Sequence, residues 1–178
     1  GTAGKTAAAG LLAAILREAA FHVGFYRAGC EPLSARIAIG GVSVDPVLLC
    51  QAAEALNAAK PLPREAAELA AAARCVGAAG CKLAVVELPD AGLASALPHM
   101  PVCAVTAIGP DGVSRSVERL AALAAGVMRK DAVCVTAPEQ PKAVLSELVV
   151  AAAKAECELV VPDAEDITFL EAEKFTSK

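Results

Sequence analysis

Gly1-Thr2-Ala3-Gly4-Lys5-Thr6 leads directly into an alanine- and leucine-rich stretch, residues 7–21. Glycines, then Lys-Thr, then a helix whose apolar face carries Leu11, Leu12, Ile15 and Leu16 is the pattern by which a chain cradles phosphate. The backbone N–H groups of such a loop point at phosphate oxygens, and the helix adds the positive end of its dipole. Gly1, Thr2 and Gly4 are expected to shape the loop, Lys5 to reach the terminal phosphates, and Thr6 to hold Mg²⁺. The full signature, G-x-x-x-x-G-K-[ST], has its first glycine upstream of Gly1. A plain helix start rich in small residues is the competing reading.

The chain has 178 residues, a length that favours one domain. A compact fold of this size buries roughly 70% of its unfolded surface. Apolar residues make up 56% but aromatics only 3%, so the core must be built from Val, Leu, Ile and Ala on closely packed elements. The net charge of −4 comes from mixed charges. Without a basic block or an acidic tail, nothing suggests a nucleic-acid partner. The seven cysteines are odd in number and form no C-x-x-C pair, which reads as reduced core thiols of a cytoplasmic protein. The alanine-rich run 66–79 is interrupted by Glu68 and Arg74, so no membrane span is expected.

Residues 5–20 read as a helix and 22–26 as a strand. RIAIGGVSV at 36–44 alternates around Gly40-Gly41 and reads as a hairpin. Asp45-Pro46 is a helix start, and the helix should run to about 59. A second alanine-rich helix follows from Pro63 or Arg64 to about 77. KLAVVEL (82–88) and 102–108 read as buried strands, and 91–100 has no clear assignment. A helix over 116–128, capped by Ser114 or Ser116, precedes a strand at 132–136. A helix at 141–156 and a strand at 158–161 follow, with one more strand at 167–172. This alternation argues an α/β fold, a mostly parallel sheet with helices on both faces and a small hairpin insertion. In such sheets the chemistry lies beyond the carboxyl ends of the strands.

Glu87 stands at one of those ends. A carboxylate there is suited to Mg²⁺, which takes one or two carboxylates with phosphate and water oxygens; a solvated strand end is the plain alternative. Asp90 and Asp111 also lie at strand ends but read as loop or cap residues. His22 and His99 have no partner at a telling spacing and read as structural. Arg27 and Arg36 could meet an anion, but a surface role is the default reading. No Ser-His-Asp set or HExxH is present.

Taken in order, these pieces resemble the ATP-binding central domain of the Mur ligase superfamily, a P-loop NTPase-like fold, and most closely its folylpolyglutamate synthase/dihydrofolate synthase branch. The opening GTAGKTAAAGLLAAILREAAFHVGFY is similar to the family's GTNGKGS loop, helix and GYRVGLY strand. ARIAIGGVSVD is similar to its ERIRINGEPIS hairpin, and GCKLAVVEL to the strand ending in its Mg-binding glutamate, here Glu87. PVCAVTAIGPDG is similar to its ITSIGLDH segment. The 120–148 stretch, LAALAAGVMRKDAVCVTAPEQPKAVLSEL, is similar to AREKAGIIKPGVPVVTGPQPPEALEVI. The resemblance implies a ligase that forms an amide bond: ATP phosphorylates a carboxylate and an amine attacks the acyl phosphate. It implies ATP and Mg²⁺ as cofactors and a nucleotide as partner, with a folate and glutamate as further candidates. On this reading residues 1–178 form one ATP-binding domain, and the strand before the loop and the C-terminal ligase domain lie outside them.

The departures share a direction. The loop asparagine is Ala3, the second hydroxyl position is Ala7, the histidine of LDH is Gly112, and the lysine of EKAGI falls on Ala124. The Ser-Pro-His segment after the GLY strand is replaced by Arg27-Ala28-Gly29-Cys30. Lys5, Thr6, Glu87 and Asp111 remain. Two expectations stand side by side: an ATP-dependent ligase domain inactive as this chain alone, and a non-catalytic scaffold or regulatory relative that keeps the fold. A loop enzyme of the dethiobiotin synthetase kind is disfavoured by the hairpin and by residues 124–138.

Overall fold

The computed structural model describes residues 3–57, 61–97, 100–110 and 116–163. The expected strand at 167–172 lies outside them, as do Gly1, Thr2, His99 and Asp111. The elements run α1 (Lys5–Glu18), β1 (Val23–Tyr26), α2 (Leu33–Arg36), β2 (Ile37–Ile39), β3 (Val42–Ser43), α3 (Pro46–Asn57), α4 (Arg64–Ala78) and β4 (Leu83–Val86). After a 3-10 turn (Ala91–Ala96) come β5 (Val102–Val105), α5 (Val117–Ala124), β6 (Val133–Thr136), α6 (Lys142–Ala155) and β7 (Glu158–Val160). The architecture is α/β with parallel strands and helices, as the alternation of periods predicts.

Local chemistry sets the boundaries. Gly40 and Gly41 have φ of 58° and 88°, the left-handed pair that a two-residue hairpin turn requires. Asp45 Oδ1 accepts from Val47 N at 2.8 Å, and Pro46 occupies the first helical position. Of the two serines offered as caps, Ser116 accepts from Arg119 N at 3.3 Å. Asp90 accepts from Gly92 N at 2.6 Å and starts the 3-10 turn. β5 ends earlier than its apolar run, because the amide of Ile108 leaves the ladder and donates to Gln140 Oε1.

The described strands form two ladders. One has the order β3-β2-β1-β4, the other β5-β6-β7. β1–β4, β5–β6 and β6–β7 are parallel, and the hairpin strand β2 is antiparallel to β1. Each ladder has its own core. Tyr26, Ile37, Leu69 and Cys75 centre the first, under α3 and α4. Cys103, Val105, Cys134, Val144 and Leu148 centre the second, under α5 and α6. The 3-10 turn Ala91–Ala96 touches both α4 and α5 and bridges the halves. Cys75, Cys103, Cys134 and Cys157 are buried and free. The Cys103 thiol is pushed far up by its contact with Cys134 and by burial, as expected of an inert core thiol. Among the described residues no helix is long and apolar enough to cross a membrane.

Arg36 corrects an expectation. It is 2% exposed rather than a surface residue. Its guanidinium meets Glu68 at 2.8 Å, donates to Glu31 O at 3.0 Å and reaches Tyr26 Oη at 3.4 Å. The sequence signal was ambiguous because Arg36 directly precedes β2 at the end of a four-residue helix. The sheet packing under α4, and not local pattern, closes over it. Burial opposes ionisation of Glu68, but hydrogen bonds from Arg36 and Arg64 outweigh it and hold the carboxyl below the usual range. Such a depressed value gives stability that is present above the unfolded glutamate pKa and lost as pH falls through the folded one. Glu68→Ala leaves the Arg36 charge buried and unpaired, at a cost of about 3 kcal/mol. Urea unfolding from neutral pH to about pH 3 should show this loss at neutral pH, with the variant and parent converging on the acid side.

Candidate functional site

The loop entering α1 sits at the carboxyl ends of β4 and β5. Gly4 adopts φ 77°, a left-handed turn that lets the chain double into the helix within one residue. The first amides of a helix have no intrahelical acceptor, so α1 presents N–H donors and a positive dipole end at this place. α1 has no buried residue and rests on β1 and β4. Ala3 N donates to Ala107 O at 3.3 Å, just beyond β5.

The side chains of the loop turn toward β4. Thr6 Oγ1 donates to Glu87 Oε1 at 2.9 Å. Lys5 Nζ donates to the carbonyls of Leu88 at 3.2 Å and Pro89 at 3.4 Å. Lys5 and Glu87, 82 positions apart by number, are thus brought to one strand end. Glu87 is only 7% exposed, and its amide still pairs with Tyr26 O at 2.8 Å. That last rung of the parallel ladder fixes the glutamate backbone.

Two buried side-chain oxygens here have no hydrogen-bond partner: Glu87 Oε2 and Thr106 Oγ1. An unsatisfied buried oxygen costs about 1–3 kcal/mol, so a pair of them at strand ends calls for an explanation. A hard cation fits Glu87 Oε2, since Glu87 and Thr6 together offer oxygen donors beside a helix amino end. Among the described residues no group of three or more His, Cys, Asp or Glu is placed to hold a metal ion. A phosphate fits the opposite requirement, with Lys5 and the α1 amides as donors.

An open cavity of about 370 Å³ lies beside the loop, lined by Ala3, Gly4, Ala104, Thr106 and Thr136 among others. Gln140 organises its floor. The side chain accepts from Ile108 N at 3.0 Å and donates to Thr106 O at 3.1 Å and Thr136 Oγ1 at 2.9 Å. Thr136 Oγ1 in turn donates to Val105 O at 3.1 Å. The sequence reading gave Gln140 no role. A lone glutamine after a proline and a glutamate carries no motif, and only the packing reveals the clamp.

The remaining candidates lie elsewhere. His22 Nε2 meets Ala79 O at 3.1 Å, a structural contact. Arg27 pairs with Glu31 at 2.9 Å. Ala124 is partly buried against the second core.

No family model matches the sequence, and no curated protein sequence matches it. Solved structures do match the fold. Mycobacterium tuberculosis folylpolyglutamate synthase complexed with ADP superposes with a TM-score of 0.78 at 20% identity, covering 91% of this chain and 41% of that one. The Escherichia coli FolC complex with DHPP and ADP gives 0.77 at 19%, covering 88% and 39%. Bifunctional folylpolyglutamate synthase/dihydrofolate synthase from Yersinia pestis, complexed with AMPPNP and Mn ion, gives 0.74 at 21%, covering 88% and 40%. The chain therefore has the fold of part of these enzymes and spans about two fifths of their length.

Two substitutions probe the geometry. Gly4→Ala places a Cβ in open space but forces an L-residue into the left-handed region. A loss of about 1 kcal/mol is expected from backbone strain alone. Gln140→Ala strips the Ile108 amide of its acceptor and should cost about 2 kcal/mol. Urea midpoints measure both, and Gly4→Ala should leave the denaturant slope unchanged.

Proposed function

We propose that the chain is the ATP-binding domain of a folylpolyglutamate synthase-like, ATP-dependent amide ligase, and that residues 1–6 act as its phosphate-binding loop. The observation that carries this reading is the Thr6–Glu87 hydrogen bond at the amino end of α1, with Glu87 Oε2 left unpartnered. A phosphate loop needs such a hydroxyl and carboxylate side by side to share one cation. The fold shared with nucleotide-bound ligases supports the reading.

In this assignment Gly1, Thr2 and Gly4 shape the loop, and Lys5 and the α1 amides hold phosphate oxygens. Mg²⁺ is taken by Thr6 and Glu87. Bound there, ATP supplies the phosphoryl group that activates a carboxylate for amide formation. The chain's own residues position the nucleotide and neutralise charge. Lys5 leaves the carbonyls of Leu88 and Pro89 to do so, since both are acceptors that an ammonium can exchange for phosphate oxygens. Folate and glutamate are the proposed further ligands, residues 1–178 the proposed single domain, and the cytoplasm the proposed location.

One observation favours the second reading, a non-catalytic relative that keeps the fold. Ala124, at the position of the family's lysine, packs against the core and offers no ligand atom. Together with Ala3 and Ala7, it removes groups whose loss costs several kcal/mol of transition-state stabilisation. We therefore expect nucleotide binding without steady turnover from this chain alone.

A thermal melt with and without Mg·ATP, repeated on Lys5→Ala, tests the binding. ATP at about one hundred times its Kd adds about 2.7 kcal/mol, which raises Tm by a few degrees. The shift should vanish in Lys5→Ala. No shift at saturating ATP in the parent protein would leave the scaffold reading standing.

A further inference from the structure

Arg27 is a charged residue at the strand ends with no part in the nucleotide reading. Its side chain is engaged with Glu31, yet its backbone stands beside Glu87. Tyr26 is in register with Val86, and the ladders continue one residue further on both sides. Glu87 N donates to Tyr26 O at 2.8 Å, and Arg27 N to Arg36 O at 3.0 Å. Tyr26 and Val86 belong to the core under α4. The pleat therefore turns the next pair, Arg27 and Glu87, to the other face, where α1 brings Thr6 to Glu87.

What Arg27 holds is a carboxylate. Its Nη2 lies 2.9 Å from Glu31 Oε1, and both side chains are partly exposed. The main chain of Glu31 is anchored, because its carbonyl accepts from the buried Arg36 Nε at 3.0 Å. Its carboxylate is held only by a pair near the surface, and pairs of that kind are worth little. Exchange for another carboxylate is therefore cheap, and a guanidinium takes one in a planar, two-point contact. Gly29 makes the room. A Cβ there would run into Glu31 Oε2, so the notch that seats a carboxylate exists because residue 29 has no side chain.

We propose that Arg27 receives the carboxylate that the ligase activates, and that Glu31 is the intramolecular competitor for this place. The identity of that carboxylate rests on the ligase reading; the arginine notch does not. The location suits the task. A carboxylate on Arg27 lies one strand over from Glu87 and the amino end of α1, where the phosphates of ATP are proposed to be held. Two anions brought so close repel each other, and the guanidinium offsets that repulsion. Arg27 is thus a binding residue for the acceptor, distinct from the residues assigned to the nucleotide, and Glu31 sets how readily the acceptor enters.

Calorimetric titration with folate in the presence of Mg·AMPPNP tests this, with the bis-amide of folate as the neutral probe. Arg27→Gln should weaken folate about tenfold and leave the bis-amide unchanged. Arg27→Lys should recover part of the loss. Glu31→Gln removes the competitor and keeps Arg27, so it should tighten folate about threefold. A merely structural pair predicts no such gain. The Mg·ATP melting shift should be equal in all four proteins. No folate binding by the parent, equal folate affinity in parent and Arg27→Gln, or no gain in Glu31→Gln would overturn the proposal. So would loss of the ATP shift in Arg27→Gln, because the guanidinium would then serve phosphate. Arg27-dependent folate binding without an ATP shift in the parent would overturn the nucleotide reading and leave the notch standing as a carboxylate site.

Discussion

The hydrogen bond from Thr6 to Glu87 joins the first turn of α1 to the last residue of the β4 ladder, and the candidate site depends on it. The bond spans 2.9 Å at a partly buried place. It fixes one carboxylate oxygen and leaves the other without a partner. Without it α1, which buries none of its residues, would have little to hold its amino end over the strands. Lys5 adds two carbonyl contacts beside it. The result is a positive helix end and an ammonium within one turn of chain, met by a carboxylate from the end of β4.

Around this anchor the protein is built in two halves. The first half, β1 to β4 with α3 and α4, encloses the Arg36–Glu68 pair, a charge that only its partner makes tolerable. The second half, β5 to β7 with α5 and α6, is closed by apolar packing and by the Gln140 clamp across β5 and β6. The 3-10 turn Ala91–Ala96 links them on one side, and the loop before α1 on the other. The loop therefore contacts both halves, through Ala107 on one side and Glu87, Leu88 and Pro89 on the other.

Much of this was legible in the residues. The hairpin could be read from Gly40-Gly41 because only positive φ fits so tight a turn. The start of α3 could be read from Asp45-Pro46 because capping is local chemistry. Lys5, Thr6 and Glu87 could be named as candidates because a loop-helix start and a carboxylate closing an apolar strand are patterns of short range. Arg36 and Gln140 could not. Both act through partners far along the chain or across strands, and neither stands in a motif. The earlier end of β5 was missed for the same reason, since a side chain from beyond β6 takes the amide that the apolar run would have kept.

The sequence by itself determined the order of the longer strands and helices, the hairpin turn and the cap of α3, and the residue types at the strand ends, because these depend on periodicity and on contacts within a few residues. Tertiary structure alone decided that Thr6 meets Glu87, that Arg36 is buried against Glu68, and that the strands fall into two ladders touched by one loop. Those outcomes depend on which distant surfaces exclude water together. Burial of that kind belongs to the packed chain and is not a property of any local stretch.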